Sequence, residues 1–250
     1  MKQFFISIIL VFVFINTVDA DWYYAGSSVE AEAYCGGSEL FCEDFEGTDT
    51  TWTVGAGTLD CDGYDTAGDY CDDDTTYFKN GTEGLAGLGG GAEWYFYTAI
   101  STTQEFYMEW WYRTSTDVTD APMRFFVNSG SSTVETCYGY INSTSYLRVI
   151  TNDGATALNA TTQAFSAESW YHVGIYYKEE TAPANNDGIV RAWINTDGST
   201  FDSGDVVINS EAVDTGNFDG NRVYFKGQNT GLIHAFDDAQ VVQGAPSWTY

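Results

Sequence analysis

The chain has 250 residues, of which 36 are Asp or Glu and only 9 are Lys or Arg, for a formal charge of −27 at pH 7. That balance argues against nucleic acid and anionic lipid as partners, since both need a basic surface. The length is ample for a hydrophobic core, so any disulfides are auxiliary to it, and it suits one large β domain better than two small ones.

The chain opens with Lys2, an apolar run from Phe4 to Ile15 and small residues at Val18 and Ala20. This order reads as a cleavable secretory signal over residues 1–20, too short in its apolar part to span a bilayer. The expectation is therefore a secreted, extracellular domain over residues 21–250, with no membrane insertion. In an oxidising compartment the most local cysteine pairings are Cys35 with Cys42 and Cys61 with Cys71, leaving Cys137, although sequence alone does not settle connectivity. Asn80, Asn142 and Asn159 each begin an Asn-x-Thr or Asn-x-Ser glycosylation triplet, a pattern common by chance in so Thr-rich a chain.

Residues 58–74, TLDCDGYDTAGDYCDDD, hold seven aspartates in seventeen positions. An EF-hand-type loop counted from Thr58 puts Asp60 at position 3, Asp62 at 5, Gly63 at 6 and Asp69 at 12. Thr58 stands where the first Asp belongs, and Asp69 is shorter than the usual bidentate Glu. The two readings are a second, weak Ca²⁺ loop closed by a Cys61–Cys71 bridge, and an acidic surface loop screened by salt. Downstream, GLAGLGGG at 84–91 lacks the Lys and Ser/Thr of a phosphate loop and reads as a turn.

The rest of the chain is a succession of short aromatic and β-branched runs bounded by Gly, Asn, Asp or Ser, which is the signature of strands and turns. Strands are predicted near 38–46, 51–55, 92–99, 104–114, 122–128, 133–141, 145–151, 169–179, 188–195, 205–213, 221–227 and 231–242. A dozen strands with short connections mean an all-β sandwich. Alternation assigns faces: in EFYMEWWYR, Phe106, Met108, Trp110 and Tyr112 share one side, and Glu105, Tyr107, Glu109, Trp111 and Arg113 the other.

Seven basic residues fall inside these strands, namely Arg113, Arg124, Arg148, Lys178, Arg191, Arg222 and Lys226, mostly with an aromatic residue two positions away on the same face. One reading pairs them with acids on adjacent strands. The other is a sheet face whose cations and flat rings bind a glycan, an anionic one by its charge. A pyranose packs its C–H face on an aromatic ring and needs polar groups beside it. Trp111, Tyr176 and Trp193 are the expected platforms, with Arg113, His172 and Arg191 as donors, against the competing role of rings as ordinary core. Two histidines and no Cys-x-x-Cys leave no standard zinc site.

Four stretches in order, LFCEDFEGTDTTW, FYMEWWYRTSTD, ESWYHVGIYYKEE…NNDGIVRAWINTDG and LIHAFDDAQVV, resemble laminin-G-like and concanavalin A-like jelly-roll domains over residues 38–242. The resemblance implies a two-sheet antiparallel jelly-roll β-sandwich and a structural Ca²⁺ tying the first strand to the last through Glu46 and Asp237 or Asp238. The Glu-x-Asp-x-x-Glu string of the superfamily's glucanases is absent, which argues against retaining hydrolysis. Polysaccharide lyases of this architecture remove a uronate C5 proton with His or Tyr, and His172, Tyr176 and Arg191 are the residues for that alternative. YFKGQNTG at 224–231 and LIH at 232–234 are similar to alginate-lyase motifs, but Leu232 replaces a Gln, the order differs and Arg-x-Glu-x-Arg is missing, so both read as coincidence. A third alternative is a structural subunit that self-associates through its tail APSWTY and an unpaired Cys137.

Overall fold

The computed structural model describes residues 39–46, 53–56, 58–59, 69–81, 83–88, 93–115, 123–128, 135–141, 145–151, 155–216, 219–228 and 233–246. The signal-like segment, Cys35, Cys61, Asp60, Asp62 and Asn142 lie outside these residues. Among the described residues sixteen strands run in chain order: β1 (Phe41–Glu43), β2 (Thr53–Ala56), β3 (Thr58–Leu59), β4 (Asp69–Asp74), β5 (Gly84–Leu88), β6 (Glu93–Thr103), β7 (Glu105–Thr114) and β8 (Met123–Asn128). They continue as β9 (Glu135–Ile141), β10 (Leu147–Thr151), β11 (Thr156–Asn159), β12 (Tyr171–Lys178), β13 (Gly188–Asn195), β14 (Val206–Val213), β15 (Gly220–Gln228) and β16 (Ile233–Gln243).

Two sheets stack. The larger has nine strands in the order β14-β13-β12-β7-β16-β5-β4-β3, with β1 also on β16; the smaller has seven in the order β11-β10-β9-β8-β15-β6-β2. All ladders are antiparallel except the short β3–β4 pair, in which Thr58 lies opposite Asp69. The predicted alternation is realised between the sheets. Phe106, Met108, Trp110 and Tyr112 of β7 are fully buried, together with Val173, Ile175 and Tyr177 of β12. Phe225 of the smaller sheet meets Phe236 of the larger edge to face at 5.3 Å, and Phe45 closes on Phe225 at the same distance. Such pairs add roughly 0.5–1.5 kcal/mol each beyond their buried area.

GLAGL is not a turn but strand β5, paired with both β16 and β4. Its glycines make room for a core residue. A Cβ on Gly87 would sit 2.4 Å from the Trp94 indole, and one on Gly227 of the facing sheet 2.3 Å from it. Trp94, fully buried, fills the gap that the two glycines leave between the sheets. Local propensity reads Gly-rich sequence as a turn; the space a distant tryptophan needs overrides it.

Candidate functional site

The outer face of the larger sheet holds every residue expected to bind glycan, and it is largely closed. Residues 196–205 fold back over it, bringing Phe201 onto His172 at 4.4 Å and beside Trp193 at 6.3 Å. Tyr107, Tyr176, Trp193 and Phe201 form a second apolar cluster there, each 5% exposed or less. Trp193 is 1% exposed and Tyr176 is 5% exposed, with the Tyr176 hydroxyl donating to Glu105 at 2.6 Å. Trp111 is stacked on His172 at 5.0 Å and covered by the Lys79 ammonium 4.6 Å from its ring centre. The three expected platforms therefore have no open ring face. Their alternation was right, but the covering loop is a tertiary contact that strand periodicity does not report.

The polar residues of that face are also committed. Arg191 Nη2 donates to Glu211 at 2.6 Å and its Nε to Asn209 at 3.1 Å, both across the β13–β14 ladder. Arg113 lies over the Tyr77 ring at 5.1 Å. His172 Nε2 is 3.6 Å from Glu109, which also accepts Tyr107 Oη at 2.5 Å and the Gln240 amide. Burial lowers the His172 pKa below its usual value, against the opposing pull of Glu109 and Asp205. Asn195 stands directly across the ladder, but its amide serves Ser199 O and Gly198 N, and His172 Nδ1 has no hydrogen-bond partner. Tyr176 and Arg191 stand directly opposite each other on the β12–β13 ladder, but Gly174, beneath Phe201, separates His172 from Tyr176, and Arg191 is paired with Glu211 of β14.

The outer face of the smaller sheet is different. Ladder registers align Tyr97, Tyr224, Phe126, Tyr138, Ile150 and Ala157 as one row across six strands. A second row aligns Tyr95, Lys226 and Arg124, and a third aligns Ala99, Arg222 and Asn128. Arg148 stands beside Tyr140 and Asn159. Arg222 lies 5.0 Å over the Tyr97 ring and its Nη1 is 3.5 Å from Tyr224 Oη; Lys226 is 5.7 Å over Tyr95. Tyr97 stacks on Tyr224 at 5.0 Å. Tyr95, Tyr97, Arg148, Arg222 and Lys226 are half-buried, and between them Tyr224, Tyr138 and Ile150 form a buried cluster. The acids in register with these strands lie at the ends of the rows, Glu135 opposite Asn128 and Glu93 opposite Gln228. Four of the chain's nine basic residues thus share one tyrosine-lined face. The sequence signal was present in Arg222-x-Tyr224-x-Lys226, since Tyr224 and Lys226 of the YFK string point outward and Phe225 into the core. The companion resemblance fails, because His234 is fully buried against Tyr112 at 2.8 Å.

The expected metal residues do come together, around residues 79–83. A bulge between Asp237 and Gln240, with Asp238 at φ 43°, turns both aspartates toward that loop. Asp237 accepts the backbone N–H of Lys79 at 2.6 Å, of Asn80 at 2.8 Å and of Asp238 at 2.9 Å. Its oxygens thus strap the 79–80 backbone to β16. Asp238 accepts the Asn80 amide, and Glu46 accepts Glu83 N at 2.9 Å. Gly81, at φ 67°, is required here, since a Cβ would lie 1.8 Å from Glu46 Oε1. Burial, then the charges of Asp44, Glu46 and Glu109, push Asp238 up to about 6. Glu46 and Asp238 fit a hard cation by donor type, but among the described residues no group of three His, Cys, Asp or Glu side chains is arranged to hold a metal. Of the acidic loop, Asp69 opens β4, and Asp60 and Asp62 lie outside the described residues.

No protein-family model and no curated protein sequence matches the chain. Solved structures do match it in shape. A cellulose-induced protein, Cip1, superposes with TM-score 0.56 and 16% identity over 82% of this chain and 100% of its own. The carbohydrate recognition domain of Emp46p, in a potassium-bound form, gives 0.50 and 12% over 84% and 98%. A sialidase gives 0.52 and 10% over 82% of this chain, which spans only 19% of the sialidase's length. The fold is a two-sheet antiparallel jelly-roll sandwich. One outer sheet face is sealed by its own loop, and the other sets half-buried cations beside tyrosines in register.

Proposed function

We propose that the protein is a carbohydrate-binding jelly roll, exported from the cell, that holds an anionic polysaccharide across the outer face of the smaller sheet. The observation that carries the reading is the concentration of Arg124, Arg148, Arg222 and Lys226 in register with or beside tyrosines on one sheet, in a chain of −27. Attraction between that face and a carboxylated or sulfated chain offsets the repulsion from the rest of the molecule. Phenol hydroxyls supply the neutral hydrogen bonds that sugar hydroxyls need. The carbohydrate recognition domain among the structural neighbours supports a glycan partner. The test is binding of the purified chain to an array of neutral and acidic polysaccharides. Selective binding to acidic glycans supports the reading, and equal binding or none sinks it.

A second reading, a polysaccharide lyase, is favoured by the half-buried Tyr97 with Arg222 5.0 Å over its ring and Lys226 on the same face. The cations would neutralise a uronate carboxylate and a phenolate would take the C5 proton. The C4–O bond then breaks as the C4=C5 double bond forms, and the departing oxygen takes a proton. Ultraviolet absorbance of an unsaturated uronate would reveal it, and its absence with every acidic glycan that binds leaves the binding role alone. As a structural subunit the protein would self-associate without Cys137, which is buried in the core. Structural Ca²⁺ between Glu46 and Asp238, and disulfides at Cys42 and Cys71, belong to the same extracellular reading.

A further inference from the structure

At one end of the sandwich, remote from both sheet faces, lies a carboxylate with no partner. Glu179 follows β12 and is 6% exposed, yet neither Oε1 nor Oε2 receives a hydrogen bond. Buried carboxylates left in that state are costly unless a cation or donor meets them. The nearby groups are acidic. Asp219 precedes β15, and Glu180 is 3% exposed with its own oxygens accepting Ala184 N at 3.1 Å and Asn186 N at 2.9 Å. Burial, then Asp219 and Glu180, push the Glu179 carboxyl up to about 7.

The surrounding backbone is well tied. Glu179 N donates to Gln104 O at 2.8 Å, and Gln104 Nε2 donates to Asp219 Oδ1 at 2.7 Å. Glu180 N donates to Thr215 Oγ1 at 2.8 Å. Gln104 sits in the turn between β6 of the smaller sheet and β7 of the larger. Glu179 belongs to the larger sheet's end and Asp219 to the smaller's. The site therefore spans the two sheets, roughly 20 Å along β7 from the Asp237 strap, which lies opposite Trp111.

We propose that Glu179 and Asp219 bind a hard divalent cation, Ca²⁺, that rivets the two sheets together at this end. Glu179 supplies both oxygens and Asp219 the oxygen not used by Gln104. Carbonyls and water complete the six to eight oxygens that Ca²⁺ takes. Oxygen-only donors and a loosely enclosed geometry favour Ca²⁺ over Mg²⁺, which demands a tight octahedron, and leave no soft ligand for zinc.

The test is calorimetric titration of CaCl₂ into the chelator-stripped full-length chain, alongside Glu179→Gln, Asp219→Asn and, for the separate first-to-last-strand location, Glu46→Gln. The expected result is a binding event in the wild type that persists in Glu46→Gln and weakens at least tenfold in Glu179→Gln and Asp219→Asn. Ca²⁺ should raise Tm in the wild type by more than in Glu179→Gln. Glu179→Gln should fold, since it mimics the protonated acid and relieves repulsion; should it not, Asp219→Asn decides. No calcium uptake by the wild type overturns the proposal, as does uptake that Glu179→Gln and Asp219→Asn leave unchanged or that Glu46→Gln alone abolishes.

Discussion

Replacing Arg222 and Lys226 together by alanine removes two of the four cations on the outer face of the smaller sheet. An anionic group about 5 Å from either one is attracted by roughly 1–3 kcal/mol, taking an effective dielectric between that of water and that of a protein surface. Both charges flank Tyr224, so one bound chain contacts both, and their combined loss is about 2–6 kcal/mol. Even the lower figure is about thirtyfold in Kd. The assay is titration calorimetry with whichever acidic polysaccharide binds best, repeated between about 0.05 and 0.5 M NaCl, over which screening shortens from about 14 to 4 Å. The double variant should bind at least about thirtyfold more weakly and show a shallower dependence on salt. Arg191→Ala is the control on the opposite sheet, where the guanidinium is already paired with Glu211; it should change Kd less than about twofold, the level expected of a paired surface charge. Equal losses in both variants, or a loss confined to Arg191→Ala, would refute the assignment of the binding face.

Gly227→Ala should destabilise the fold by about 1–3 kcal/mol, because the new methyl meets the Trp94 indole and Gly87 holds the indole from the other side. A denaturant midpoint unchanged from the wild type would show that the indole can move aside. Burial drives His234 down from 6.5 to about 4, so the unfolded chain gains a proton across that window before the folded one does. Stability from this group is complete above about 6.5 and is lost on acidification; relative to His234→Gln, the wild type should lose about 3 kcal/mol between pH 7 and 4. Parallel stability curves for the two would contradict a neutral buried imidazole. Burial also raises the Cys137 thiol well above its usual value, so a maleimide should leave Cys137 unlabelled in the native chain and label it once the chain is denatured. Labelling of the native chain at Cys137 would mean that the core opens around β9.

Alternation along single strands was enough to separate inward from outward residues. Phe106, Met108, Trp110 and Tyr112 face the core, as do Val173, Ile175 and Tyr177, because side chains on a pleated strand must alternate and only one side can be apolar. The pairing of strand cations with neighbouring rings was legible in the same way. Which of the two outer faces is sealed by a loop, and which gathers cations, was not. That depended on Phe201 returning across β12 from a loop whose composition is merely polar, and on registers that bring Tyr97, Tyr224, Phe126 and Tyr138 into line from segments far apart in the chain. Gly87 read as a turn because its purpose lies in Trp94, and Glu179 read as one acid among many because its isolation appears only once both sheets close around it. The sequence determined the strands, their inward faces and the acidic character, which are local properties. The sealed face, the cation-bearing face and the two carboxylate clusters were decided by tertiary structure, since all depend on contacts between strands distant in sequence.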